Sequence, residues 1–130
     1  MRRWMFVMMV GLLLLLSGCQ GGGSAKGFTD ITVDELNSML ESKDFLFVNT
    51  HIPYEGEIAG TDAFIPYDEL ELYADQLPAD KGSKIVLYCR SGRMSEIAAT
   101  ALAEQGYSNV YELDGGMIAW EEAGLPLIGK

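Results

Sequence analysis

The stretch Lys84 to Glu96, KIVLYCRSGRMSE, constrains this chain more than any other. Ile85, Val86, Leu87 and Tyr88 are β-branched, aliphatic and aromatic with no polar interruption, the pattern of a strand covered on both faces of a parallel sheet. Arg90, Ser91, Gly92 and Arg93 then form a polar, glycine-containing turn, and from Ser95 an alanine-rich run to Glu104 reads as a helix. Cys89 therefore stands between the carboxyl end of a strand and the start of a helix. In open α/β sheets ligands bind at such places, because loops leaving the strand ends frame a crevice and the following helix points its positive end into it.

A thiol so placed is favoured as thiolate, the reactive form, by the helix terminus and by cations such as Arg90 and Arg93. A short loop around the sulfur also aims backbone N–H groups inward as an anion nest, and Gly92 permits the backbone angle this needs. The alternative for a lone cysteine is inert packing, since cysteine is among the most buried residue types. Two arginines and a glycine directly after Cys89 favour chemistry over packing.

The segment Cys89-Arg90-Ser91-Gly92-Arg93-Met94-Ser95 resembles the active-site loop of the single-domain rhodaneses, a family of sulfurtransferases. Leu113-Asp114-Gly115-Gly116-Met117-Ile118-Ala119-Trp120, followed by Ala123-Gly124-Leu125-Pro126, is similar to the family's closing signature, and Phe64-Ile65-Pro66-Tyr67-Asp68-Glu69-Leu70 to its mid-domain segment. The resemblance spans roughly residues 28 to 128. It implies a three-layer α/β/α domain with a mainly parallel central sheet over residues 28–130. It further implies that Cys89 is the nucleophile and that residues Arg90 to Ser95 bind the substrate.

Sulfur would then move from a small anionic donor, thiosulfate or a persulfide, through a Cys89 persulfide to a thiol or cyanide acceptor, with no cofactor and no metal. A protein sulfur donor or acceptor is a further possible partner. Met94 stands where many relatives carry a basic residue, which implies a less charged or protein-borne donor. Asn49 and His51 stand where many carry Asp and Arg, and Gly56-Glu57-Ile58-Ala59-Gly60 where many carry Gly-His-Ile-Pro-Gly, residues that brace the domain beside the active loop. This reshaped segment keeps open a second reading, a membrane-tethered carrier or binding module with negligible turnover. A third is a cysteine phosphatase or arsenate-reductase-like enzyme, but such enzymes place an arginine six positions after the nucleophile, where this chain has Ser95.

At the amino end Arg2 and Arg3 precede a 13-residue apolar run, Trp4 to Leu16. That is shorter than the roughly 20 residues of a bilayer-spanning helix and matches a signal-peptide core. Leu16-Ser17-Gly18-Cys19 resembles a bacterial lipobox, so residues 1–18 read as a lipoprotein signal peptide, Cys19 as the lipidated residue and 19–27 as a flexible Gly/Ser-rich tether. The domain is thus expected outside the cytoplasm, anchored to the cell or outer membrane. With Cys19 lipidated, Cys89 is the sole thiol and has no disulfide partner in a compartment where disulfides form.

Removing Arg2 and Arg3 leaves seven of nine basic residues against nineteen acidic ones, a formal charge of −12. Such a surface disfavours nucleic acid. His51 is the single histidine, so a Cys–His pair is conceivable, while a soft-ligand metal cluster is not.

Elsewhere, Thr32-Val33-Asp34-Glu35 has capping-box spacing for a helix to about Ser42 with Leu36, Met39 and Leu40 inward. Phe45 to Val48 reads as a buried strand. Leu70, Tyr73, Ala74 and Leu77 have one-sided helical spacing ahead of Pro78. Asn109 to Leu113 predicts a strand, and Gly116 to Glu122 a last helix with Met117, Ile118 and Trp120 in the core.

Overall fold

The computed structural model describes residues 26–130. The expected signal peptide, Cys19 and most of the tether lie outside the described residues. Five strands form one sheet: β1 (Thr29–Ile31), β2 (Leu46–Asn49), β3 (Ala63–Phe64), β4 (Ile85–Tyr88) and β5 (Val110–Leu113). Their order is β1-β5-β4-β2-β3 and each neighbouring pair is parallel, with Leu46 opposite Ile85 and Leu87 opposite Glu112. Helices α1 (Val33–Glu41), α2 (Arg93–Glu104) and α3 (Gly116–Glu122) and a 3-10 segment (Leu70–Gln76) cover it.

Strand alternation sorts the core into two halves. Ile85 and Leu87 of β4 pack with Val48, Ala98, Ala99 and Leu102 under α2. Val86 and Tyr88 point the other way and join Leu36, Phe47, Met117 and Trp120 under α1 and α3. The result is the expected three-layer α/β/α arrangement around a parallel sheet. Because Cys89 follows Tyr88, the same alternation sends its side chain to the α2 face.

Capping and burial explain the agreement at α1. Thr32 accepts from Glu35 N–H at 3.2 Å while Glu35 accepts from Thr32 N–H at 2.8 Å, a complete capping box, and Leu36 is fully buried.

Three expectations change. The residues around Leu70 to Leu77 form a 3-10 segment kinked at Tyr73 (φ −113°, ψ 20°) rather than a one-sided α-helix. Glu69 supplies no side-chain cap, Tyr73 leaves helical φ/ψ in mid-segment, and Leu77 is extended ahead of Pro78, so no continuous α-helical run forms between the breaks. Second, α2 begins at Arg93 rather than Ser95. Gly92 at φ 107° turns the chain directly into the helix, so Arg93, Met94 and Ser95 occupy its first turn. Third, Ile118 is 39% exposed while Met117 and Trp120 are buried, because a helix of two turns presents one face to the sheet.

The strand order creates a switch point. The chain leaves β2 toward β3 at one edge and leaves β4 toward β5 on the other side, so the loops after β2 and β4 diverge over a crevice at the carboxyl edge. Tyr88, the last residue of β4, ties the β2 loop down. Its hydroxyl accepts from Ile58 N–H at 3.0 Å and lies 2.7 Å from Thr61 Oγ1, and the Thr61 hydroxyl donates to Ile58 O at 2.6 Å. Burial pushes the Tyr88 phenol up to about 12, so it remains a neutral donor and acceptor.

Tyr88→Phe leaves the buried Ile58 N–H without its acceptor. It should lower unfolding free energy in urea by about 1–3 kcal/mol with an unchanged denaturant slope.

Candidate functional site

The crevice is built on the sharp exit from β4. Cys89 is 1% exposed, and its Sγ accepts from Gly92 N–H at 3.0 Å. Ser95 Oγ, on the first turn of α2, lies 3.4 Å from the same sulfur. In place of the several inward amides expected, one backbone amide, that of Gly92, and one hydroxyl, that of Ser95, lie within hydrogen-bond reach of Sγ.

The outer side of this loop is fixed by α3. Met117 N–H donates to Cys89 O at 2.8 Å and Ile118 N–H to Arg90 O at 3.0 Å. A Cβ on Gly116 would lie 2.4 Å from Cys89 O and 2.7 Å from Arg90 O, so only glycine lets α3 come this close. The double glycine of the closing motif thus serves the loop after β4.

The two arginines do not converge on the thiol. Arg90 is exposed, and its guanidinium donates to Glu55 Oε2 at 2.8 Å. Arg93 lies on an open groove with Lys26, Phe28, Glu96 and Thr100. The hydrogen bonds to Cys89 Sγ come from Gly92 and Ser95, and from neither guanidinium. Ser91 is exposed and Met94 half-buried. The loop residues thus divide: Gly92 and Ser95 serve the sulfur, Arg90 pairs with Glu55, and Arg93 lines the neighbouring groove.

Glu55 was not foreseen. It accepts from Arg90 and lies 3.0 Å from His51 Nε2, and the Arg90 and His51 hydrogen bonds hold its carboxyl below the usual carboxylate range. The single histidine therefore faces a carboxylate rather than Cys89. His51 N–H donates to Asn49 Oδ1 at 3.0 Å, and buried Asn49 donates to Gly56 O at 3.0 Å. Residues that depart from the family pattern here still brace the loop, by a chain running Gly56–Asn49–His51–Glu55–Arg90 across the crevice.

Glu112 was also missed, although a carboxylate within the apolar run Val110 to Leu113 was a visible signal. It is 1% exposed on β5, faces α2, and its Oε1 lies 2.6 Å from Ser95 Oγ. Burial pushes its carboxyl up to about 8. The Ser95 hydrogen bond opposes that rise, while Asp30, Glu96 and Asp114 add to it. Carboxylate oxygens of Asp30, Glu96 and Glu112 lie within 4.8 Å of one another, and the Lys26 ammonium is hydrogen-bonded to Asp30 at the rim.

Comparison with known proteins points the same way. The model of the rhodanese-like domain family matches residues 32–123. A tRNA uridine(34) hydroxylase of Erwinia tasmaniensis is 33% identical over 124 residues, covering 79% of this chain and 35% of that protein. The chain thus spans about a third of the length of the curated relatives it matches. The solution NMR structure of a rhodanese-like domain from Anabaena superposes with TM-score 0.67 at 26% identity, covering 78% of this chain and 79% of that one. An NAD-dependent persulfide reductase from A. fulgidus gives TM-score 0.59 at 30% identity over 72% of this chain and 16% of that one.

The raised Glu112 carboxyl has a consequence for stability. Folding lifts its titration from the ordinary 4.5 to about 8, so between these values the folded state binds the extra proton and loses stability as pH rises. The loss is on the order of 3–5 kcal/mol if the whole shift is realised. Urea midpoints should fall from pH 5 to pH 8 in the wild type, and Glu112→Gln should flatten that part of the slope.

Proposed function

The chain belongs to the rhodanese-like domain family, and on that premise we propose that it is a sulfurtransferase working through a persulfide on Cys89. The observation that carries the reading is the pair of donors, Gly92 N–H and Ser95 Oγ, aimed at one buried sulfur at the carboxyl end of the central strand. Donors that hold a thiolate also hold the negative sulfur that replaces it.

In the first step the Cys89 thiolate attacks the outer sulfur of thiosulfate or a persulfide. A new S–S bond forms to Cys89, and the donor's own bond breaks with its electron pair leaving on sulfite or a thiolate. In the second step cyanide or a thiolate attacks that outer sulfur and the Cys89 thiolate leaves. The sulfane sulfur changes carrier with no net oxidation, so no redox cofactor enters. Two transfers through one covalent intermediate give ping-pong kinetics.

The tRNA in the names of the relatives is not carried over to this chain. The formal charge of −10, and of −12 once Arg2 and Arg3 are removed, opposes the phosphate contacts that dominate nucleic-acid affinity. A phosphatase reading fits less well, because a buried carboxyl stands behind the hydroxyl where a phosphate-binding arginine is needed.

The near-complete burial of Cys89 supports the second reading, a membrane-tethered sulfur carrier or binding module with negligible turnover. We further infer that the domain lies outside the cytoplasm on a lipidated Cys19, with residues 1–18 removed, from the apolar run and the lipobox-like Leu16-Ser17-Gly18-Cys19. Among the described residues no helix is long and apolar enough to cross a membrane.

Treatment with thiosulfate or a small-molecule persulfide should make the intact chain heavier by one sulfur, located on Cys89, and cyanide should remove it. Cys89→Ala should abolish both. Failure of the adduct to form with every donor tried rejects the sulfurtransferase reading, whereas an adduct inert to cyanide but discharged to a co-purifying protein selects the carrier.

A further inference from the structure

Glu112 has no part in the two transfer steps, yet it is buried directly behind the site. Ser95 has one hydroxyl proton and three acceptors around it: Glu112 Oε1 at 2.6 Å, Gly92 O at 3.1 Å and Cys89 Sγ at 3.4 Å. An ionised Glu112 is the strongest of these acceptors at the shortest distance and takes the proton. The sulfur then retains only the Gly92 amide. A protonated Glu112 has a proton of its own to give to Ser95 Oγ, and the Ser95 proton is released to Gly92 O and the sulfur, of which a thiolate or persulfide anion, being charged, is the stronger acceptor.

We propose that Glu112 is a positioning residue for Cys89: its protonation state decides whether the Ser95 hydroxyl is donated to the sulfur or withdrawn from it. The role of this device rests on the sulfur-transfer reading, while its geometry does not. Its operating range is set by the surroundings of Glu112. Desolvation between β5 and α2, with Asp30 from β1, Glu96 from α2 and Asp114 just after β5, moves the carboxyl to about 8, within reach of ordinary solution conditions. Lys26 ahead of β1 is the cation whose charge interacts with Glu112, and its ammonium is engaged by Asp30; Arg93 lines the same groove. Below that titration Cys89 has two donors, and above it one donor and a neighbouring negative charge. Both changes disfavour a thiolate or persulfide anion as pH rises, so they reinforce each other.

The test reads the coupling between the two groups without any sulfur donor. Glutamate carboxyls of the full chain are labelled with carbon-13 and titrated by NMR, the Glu112 signal being the one lost in Glu112→Gln. The Cys89 thiolate is titrated by ultraviolet absorbance as the difference from Cys89→Ser. Linkage requires the group that ionises second to carry the shift. Either the Glu112 titration should fall by about one pH unit in Cys89→Ser, or the thiolate titration should fall by about one unit in Glu112→Gln, tenfold in the proton equilibrium.

Repeating the comparison in Ser95→Ala should at least halve the shift, leaving only charge repulsion. Two unmoved titrations, or a shift that survives Ser95→Ala undiminished, overturn the inference. Either result leaves the sulfur-transfer reading to the mass shift of Cys89, and a missing mass shift leaves this coupling measurable.

Discussion

Two carbonyl oxygens, those of Cys89 and Arg90, accept the Met117 and Ile118 amides of α3, and the active loop depends on this contact. A peptide unit points its C=O and N–H in opposite directions. Holding these two carbonyls on the outer side fixes the Cys89–Arg90 and Arg90–Ser91 peptide planes, and the next amide along the chain, Gly92 N–H, meets the sulfur. The contact is possible because Gly116 has no Cβ. A glycine 27 residues away in sequence thus helps determine the surroundings of Cys89.

The site combines this backbone order with a costly feature. A carboxyl buried between β5 and α2 is destabilising when ionised, and the titration near 8 expresses that cost. Ser95 partly offsets it and at the same time touches the sulfur, so one hydroxyl links a carboxyl that prefers its proton to the Cys89 sulfur. The short helix turn from Gly92 to Ser95 brings the three together, and β4–β5 pairing places Glu112 opposite Leu87, two residues before Cys89.

The crevice mouth shows how different residues can serve one mechanical purpose. Asn49 and His51, buried beside the β2 strand end, connect through Glu55 to Arg90 on the facing loop. This bridge spans the switch point between β2 and β4. It also draws charge from Arg90 into a pair with Glu55, so the positive field expected over the thiol is weaker than two free arginines would give.

The linear chain alone determined the α/β architecture, the strand leading into Cys89, the capping box at Thr32 and the closing glycine pair, because each is a local pattern of polarity, propensity or backbone freedom. It also identified Cys89, Gly92 and Ser95 as members of one loop. It did not show that Arg93 and Met94 belong to α2, that Leu70 to Gln76 forms a kinked 3-10 segment, that Arg90 turns to Glu55, or that Glu112 stands behind Ser95. Those facts depend on which residues distant in sequence are brought face to face. Burial, charge pairing and the direction of a hydroxyl proton are properties of neighbours in space, and only the packed structure supplies the neighbours.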